Sequence, residues 1–150
     1  MPEPLSKLRA RHALERIERH VELQQADPKQ LGKYVSYIKG LPASILKNGL
    51  GQAMAMERMG AAKDTGHALL YQDVQDWLLT ERGPSLFPEA HPARAPAPAD
   101  LFLAIVHLNT TEADYIRAQA EALAYLEWLK KFAVAFLTVA DEQATTKDGT

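Results

Sequence analysis

The sequence predicts an all-α fold: a single compact helical bundle of about six helices with a Pro-rich loop before the fifth. Three observations carry that expectation. The composition is 47% apolar and only 7% aromatic, and it is rich in Ala and Leu, which lose little rotamer freedom on a helix. Apolar residues recur at helical spacing along most of the chain. Only residues 101–108 read as a strand candidate, and no second one is there to pair with it. A chain of 150 residues can bury one sizeable core, so a single domain over residues 1–150 is expected.

The first helix is expected over 5–25, with Ala10, Leu14, Ile17 and Val21 as its apolar stripe. On a wheel of about 100° per residue, Arg9, His12, Arg16 and Arg19 fall opposite that stripe, and Glu15, Glu18 and Glu22 form a separate flank. Asp27 is a candidate N-cap for a second helix with Pro28 at its first position. Leu31, Val35 and Ile38 supply its buried face. Lys29 and Lys33 stand one turn apart on another side, with Tyr37 above them. Gly40-Leu41-Pro42 is expected to end it, because proline biases the preceding residue out of helical geometry.

A third helix is expected over 42–60, with Asn48-Gly49-Leu50-Gly51 inside it. Two readings stand: Gly49 stops a short helix, or both glycines let another backbone approach a continuous one. In the continuous case Lys47 and Arg58 lie about three turns apart on one face, with Gly51 and Met54 between them. Met54, Met56 and Met59 read as core or helix-contact filler. A fourth helix is expected over 66–82, with Leu70, Val74, Trp77 and Leu78 inward and Asp73 and Asp76 outward.

Residues 83–99 hold five of the nine prolines, a setting neither helix nor sheet tolerates, and are expected as a mobile surface loop. Residues 101–108 are read as a short, fully buried helix capped by Asp100. The last helix is expected over 112–140, opened by Thr111 and Asp114 as a capping box. Its stripe is Ala118, Ala122, Leu126, Leu129, Ala133, Phe136 and Ala140. The end, 141–150, is polar and expected to fray.

The net charge of −2 hides a division. Residues 1–63 carry 11 Lys or Arg against 6 Asp or Glu; residues 64–150 carry 6 against 13. A basic first half can meet a phosphate backbone while an acidic remainder limits indiscriminate binding, although an ordinary bundle with uneven surface charge has the same averages. The absence of cysteine excludes disulfides, Cys-ligated zinc and a thiol nucleophile, and fits a reducing cytoplasm. The N-terminus lacks a signal-peptide pattern, and no segment approaches the roughly 20 apolar residues of a membrane span.

Catalytic patterns do not emerge. His12, His20, His67, His91 and His107 never stand with a second His or an acid at metal-ligand spacing, so each is expected at the surface or in packing, with no metal and no cofactor. Gly49-Leu50-Gly51 lacks the third glycine and preceding strand of a phosphate loop. Asp73 with Asp76, and Glu121 with Glu127, are expected on solvated faces, whereas a catalytic acid needs a perturbing environment.

Two stretches are informative together. In residues 33–53 the pair Leu41-Pro42 is followed by Asn48-Gly49-Leu50-Gly51, and residues 127–133 contain Trp128-Leu129-Lys130-Lys131-Phe132. In this order they resemble the small subunit of the type III-B CRISPR effector, the Cmr or RAMP-module complex, and the likeness covers most of the chain. The resemblance implies a helical bundle present in several copies. These would stack as an inner filament beside backbone subunits that carry the guide RNA, holding the target RNA against it, while cutting belongs to other subunits. It implies no enzyme here. Implied partners are the backbone and large subunits, further copies of the chain, guide RNA and target RNA.

Carried onto this sequence, Lys33, Lys39 and Lys47 lie in the first matching motif and Lys130 and Lys131 in the second, so these are the expected phosphate contacts. Arg16, Arg19 and Arg58 join them on wheel position alone. Lys131 also stands four residues after Glu127 in the order that favours an intrahelical ion pair. Trp128, Gly49 and Gly51 are candidate protein-contact positions, with edge packing inside the chain the other reading for Trp128. A helical adaptor that joins subunits without touching RNA is the second functional reading, and a monomer is expected in isolation.

Overall fold

A computed structural model describes residues 3–80, 83–84, 86–87, 100–107 and 109–137. Among these the chain forms six helices and no strand: α1 Leu5–Ala26, α2 Pro28–Asn48, α3 Leu50–Ala61, α4 Thr65–Leu79, α5 Leu101–Val106 and α6 Glu112–Leu137. The helical bundle expected from composition and periodicity is what the chain builds. The expected fraying of 141–150 and most of the Pro-rich stretch lie outside the described residues. At the start of that stretch, however, Leu86 and Phe87 are buried in the core rather than on the surface.

Single residues separate the first three helices. Asp27 ends α1, its amide donating to the Leu23 carbonyl, and starts α2, its side chain accepting from the Gln30 amide at 3.2 Å. Gly49 divides α2 from α3 at φ 84°, a left-handed conformation that a Cβ disfavours. The helix-stop reading of Gly49 therefore holds. The expected break at Pro42 does not: α2 runs through it. Proline removes one backbone donor, a penalty of about 3 kcal/mol, but Ile38, Leu41 and Ile45 on either side of it are all buried, and that burial exceeds the penalty. Because the break falls at Gly49, Lys47 and Arg58 belong to different helices, with Met54 buried and Met56 and Met59 exposed.

α1 and α6 run parallel at a near-constant offset, since Arg9 meets Glu121, His12 meets Tyr125 and Gln24 meets the Leu137 carbonyl. α4 runs antiparallel to α1, with Arg16 on Asp73 and His12 on Asp76. α6 fills the centre through Ala118, Ala122, Tyr125, Leu126, Leu129 and Ala133, all fully buried. Phe136, placed in that stripe by sequence, is half exposed. Thr111 and Asp114 cap α6 reciprocally, as expected. Asp100 caps α5 through the Leu103 amide at 3.3 Å, but α5 is only half buried, with Leu103 and Val106 exposed.

The face of α1 is turned by about 60° from the sequence reading, with Ile17 buried as expected. Its buried residues are Ala13, Ile17 and His20, whereas Val21 is exposed, and the row Arg9, His12, Arg16 points into the bundle. Two acids expected on solvated faces receive it. Asp73 is fully buried and Glu121 nearly so. Asp73 accepts from Arg16 Nε at 2.7 Å, from His20 Nε2 at 2.9 Å and from the Tyr34 hydroxyl. Glu121 accepts from Arg9 Nε at 2.6 Å, from one Arg9 terminal nitrogen at 2.9 Å and from Trp77 Nε1 at 3.0 Å. These charge-assisted bonds satisfy carboxylates whose isolated burial would be prohibitive.

Candidate nucleic-acid interface

The basic surface is carried by α2. Between Pro28 and Asn48 it holds Lys29, Lys33, Lys39 and Lys47 and no Asp or Glu. Its inward positions are Leu31, Tyr34, Val35, Ile38, Leu41 and Ile45. On the wheel, Lys29, Lys33 and Lys47 lie within about 40° of one another on the opposite side, and Lys39 about 80° from Lys47. Lys29 and Lys47 are about 27 Å apart along the axis, five turns. Lys29, Lys39 and Lys47 are exposed and Lys33 is half-buried, and none forms an ion pair among the described residues. A helix with four unpaired cations and no acid is a stripe of positive potential, not a mixed solvated face.

The other expected cations are placed differently. Arg16 is turned inward: burial works against its charge, but Asp73 outweighs this and holds the guanidinium above its ordinary value. Arg58 is half exposed and bound to Asp100 through Nε at 2.8 Å and a terminal nitrogen at 2.7 Å. Arg19 is exposed but borders a shallow surface depression with Glu15, Glu18 and Glu22, so its charge sits among three acids. Lys130 and Lys131 are both exposed on α6. Lys131 lies over the Trp128 ring, 5.3 Å from its centroid, instead of pairing with Glu127. Trp128 is half-buried and stacks on Phe132 at 5.6 Å, which stacks on Phe136 at 6.4 Å.

Gly49 and Gly51 face their own chain. A Cβ on Gly49 would stand 2.8 Å from the Tyr115 hydroxyl, and the Gly51 amide donates to that hydroxyl at 2.9 Å. The close approach allowed here is a tyrosine side chain, not a second backbone. Sequence reasoning passed over Lys63, exposed in the α3–α4 turn, and left Lys29 outside the site although it had placed it on α2.

The profile of the Cas_Cmr5 family, CRISPR-associated proteins, matches residues 5–136. That span takes in the first five helices whole and all but the last residue of α6. The chain belongs to the Cas_Cmr5 family. It is thereby a small subunit of the type III-B CRISPR Cmr complex, a structural component that works beside other subunits. The matched region of this Cas_Cmr5 chain ends one residue before α6 does and contains both the lysine face of α2 and the Trp128 ladder. Among the described residues, no helix is long and apolar enough to cross a membrane.

Proposed function

We propose that this chain is the non-catalytic small subunit that supports the guide RNA–target RNA duplex within its complex, copies of it aligning as an inner filament. The outer face of α2 is the phosphate contact. The observation that carries this reading is the run of Lys29, Lys33, Lys39 and Lys47 with no acid on the helix and no ion pair among the described residues. Such cations act by releasing condensed counterions, which adds affinity without reading sequence. That division of labour suits an RNA-guided complex, in which base pairing supplies specificity. Lys130 and Lys131 extend the same role on α6. Arg16 and Arg58 have carboxylate partners within the chain and are left out of the contact surface.

The test is the triple charge reversal Lys33→Glu, Lys39→Glu, Lys47→Glu, measured as target-RNA affinity of the assembled complex over a salt series. Three lost contacts flatten the salt dependence by roughly 2 units in the log–log slope, with the helical circular dichroism unchanged. An unchanged slope and an unchanged affinity at low salt overturn the proposal.

One observation favours a second reading, an adaptor that joins subunits without touching RNA. Leu46, Met56 and Met59 are all exposed on α2 and α3, more suited to protein than to phosphate. Substituting them with serine then impairs assembly while RNA binding by the complex that does form stays normal.

A further inference from the structure

α1 is fastened to the bundle in a different way from the other long helices. Its only buried apolar residues are Ala13 and Ile17, whereas α2 buries Leu31, Val35, Ile38, Leu41 and Ile45, and α6 a longer stripe. The rest of its attachment is polar. It runs from Arg9 on Glu121 at one end, through His12 on Asp76 and Arg16 on Asp73, to Gln24 on the Leu137 carbonyl at the other. Within this seam His20 Nδ1 is buried and has no hydrogen-bond partner among the described residues. The start of the helix has no side-chain cap at Pro4.

Such a seam resists substitution more than it resists opening. Removing one partner of a buried ion pair strands the other. Withdrawing α1 whole instead returns Arg9, Arg16 and His20 to water together with Asp73 and Glu121, and hydration replaces the bonds that are lost. It also hydrates His20 Nδ1. Apolar burial alone has no such replacement in water, and α1 has little of it. The remaining helices hold one another without α1: α4 packs on α2 and α3, and α2 packs on α6. Gln119 accepts from the Leu50 amide at 2.9 Å, and the Tyr115 hydroxyl from the Gly51 amide at 2.9 Å. The hinge is the single residue Asp27, whose side chain caps α2, so α2 keeps its cap when α1 leaves.

We propose that α1 is a strap that opens as one unit about Asp27 while α2 to α6 stay folded. Opening uncovers the carboxylates of Asp73 and Glu121 together with Trp77 and Tyr125, whose rings stack 5.7 Å apart. The surface so exposed on α4 and α6 is acidic and aromatic, the opposite of the lysine face. The α2 lysines belong to the part that stays, so the strap does not depend on the phosphate contact proposed above.

The test is native-state hydrogen–deuterium exchange of the intact chain, resolved residue by residue, with Arg16→Met as the comparison. Amides from His12 to Leu23 exchange with one common opening free energy, about 100-fold faster than the slowest amides of α2 and α6. Arg16→Met speeds exchange in α1 by about a further tenfold, the size of one charged hydrogen bond, and leaves α2 and α6 as in the native chain. Equal protection in α1, α2 and α6 overturns the strap. So does a speed-up of the same size in all three helices with Arg16→Met, because α1 then opens only with the whole bundle. A steady gradient along α1, with no shared value, is end fraying and overturns the single unit. The comparison among helices is made on the native chain, so it decides the matter even if Arg16→Met does not fold.

Discussion

Asp73 offers the sharpest test of how α1 is seated against the bundle. Its carboxylate is fully buried and is the shared acceptor for Arg16, His20 and Tyr34. Asp73→Asn keeps the shape, removes the charge and turns a donor toward three donors. Leaving one partner of a buried ion pair uncompensated costs about 3 to 5 kcal/mol. Arg16 keeps 14% of its side chain in contact with solvent, so the guanidinium can relax outward, and the expected loss is about 3 kcal/mol. For a chain of this length the thermal midpoint falls by roughly 10 °C. Urea unfolding followed by circular dichroism measures the loss directly. Arg16→Met should cost less, because His20 and Tyr34 still serve the carboxylate, and the double variant should cost less than the sum, with a coupling of at least about 1 kcal/mol. If Asp73→Asn lies within about 1 kcal/mol of the native chain, or the two substitutions simply add, then α1 is not held by this network.

Two glycines separate conformation from contact. Gly49→Ala meets both the positive φ of 84° and the Tyr115 hydroxyl at 2.8 Å, and should destabilise by about 1 to 3 kcal/mol; Gly40→Ala, with nothing within 4 Å of its Cβ, should stabilise by about 0.5 to 1 kcal/mol. The same sign for both in urea denaturation refutes the assignment of Gly49. In acid, Asp76 is held below the ordinary carboxylate value by its hydrogen bond from His12, against burial. Asp100 is held low despite desolvation by Tyr71 and Arg58. A depressed carboxylate contributes stability that is fully present above its unfolded pKa of about 4 and lost as pH falls through the folded value. Glu57, raised by burial, has the opposite sign, its contribution diminishing as pH rises. The thermal midpoint is therefore expected to fall below about pH 4, and a midpoint constant to about pH 3 contradicts these pairings. Asp100→Asn should show a smaller acid drop than the native chain and a lower midpoint at neutrality, since it also loses the charge opposite Arg58.

Helix boundaries were legible where punctuation and burial agree. Asp27-Pro28 caps and starts α2 because both residues act locally, within one turn. Thr111 and Asp114 succeed for the same reason. Pro42 misleads because its local cost is opposed by core contacts to helices far along the chain, which a reading of neighbouring residues does not contain. Leu103 and Val106 mislead in the other direction. An unbroken apolar run says that some of its residues are buried, not that all are, and α5 leaves one side open.

The candidate site was legible only in part, because a cationic stripe has the same periodicity whether it faces water or a buried acid. Lys39 and Lys47, placed by the matching motif, are exposed and Lys33 is half-buried with no ion pair among the described residues; Arg16, chosen on wheel position alone, is half-buried against Asp73. What separates them lies in the partner helices. Asp73 stands three residues after Leu70 and four before Trp77, both buried, so its position on α4 is inward. Glu121 stands three after Ala118 and four before Tyr125 in the same relation. Two acids on apolar stripes demand donors from elsewhere in the fold, and Arg9, Arg16 and His20, on a single helix, meet that demand. α2 has no such obligation: its inner face is wholly apolar apart from the Tyr34 hydroxyl, and none of its lysines forms an ion pair among the described residues.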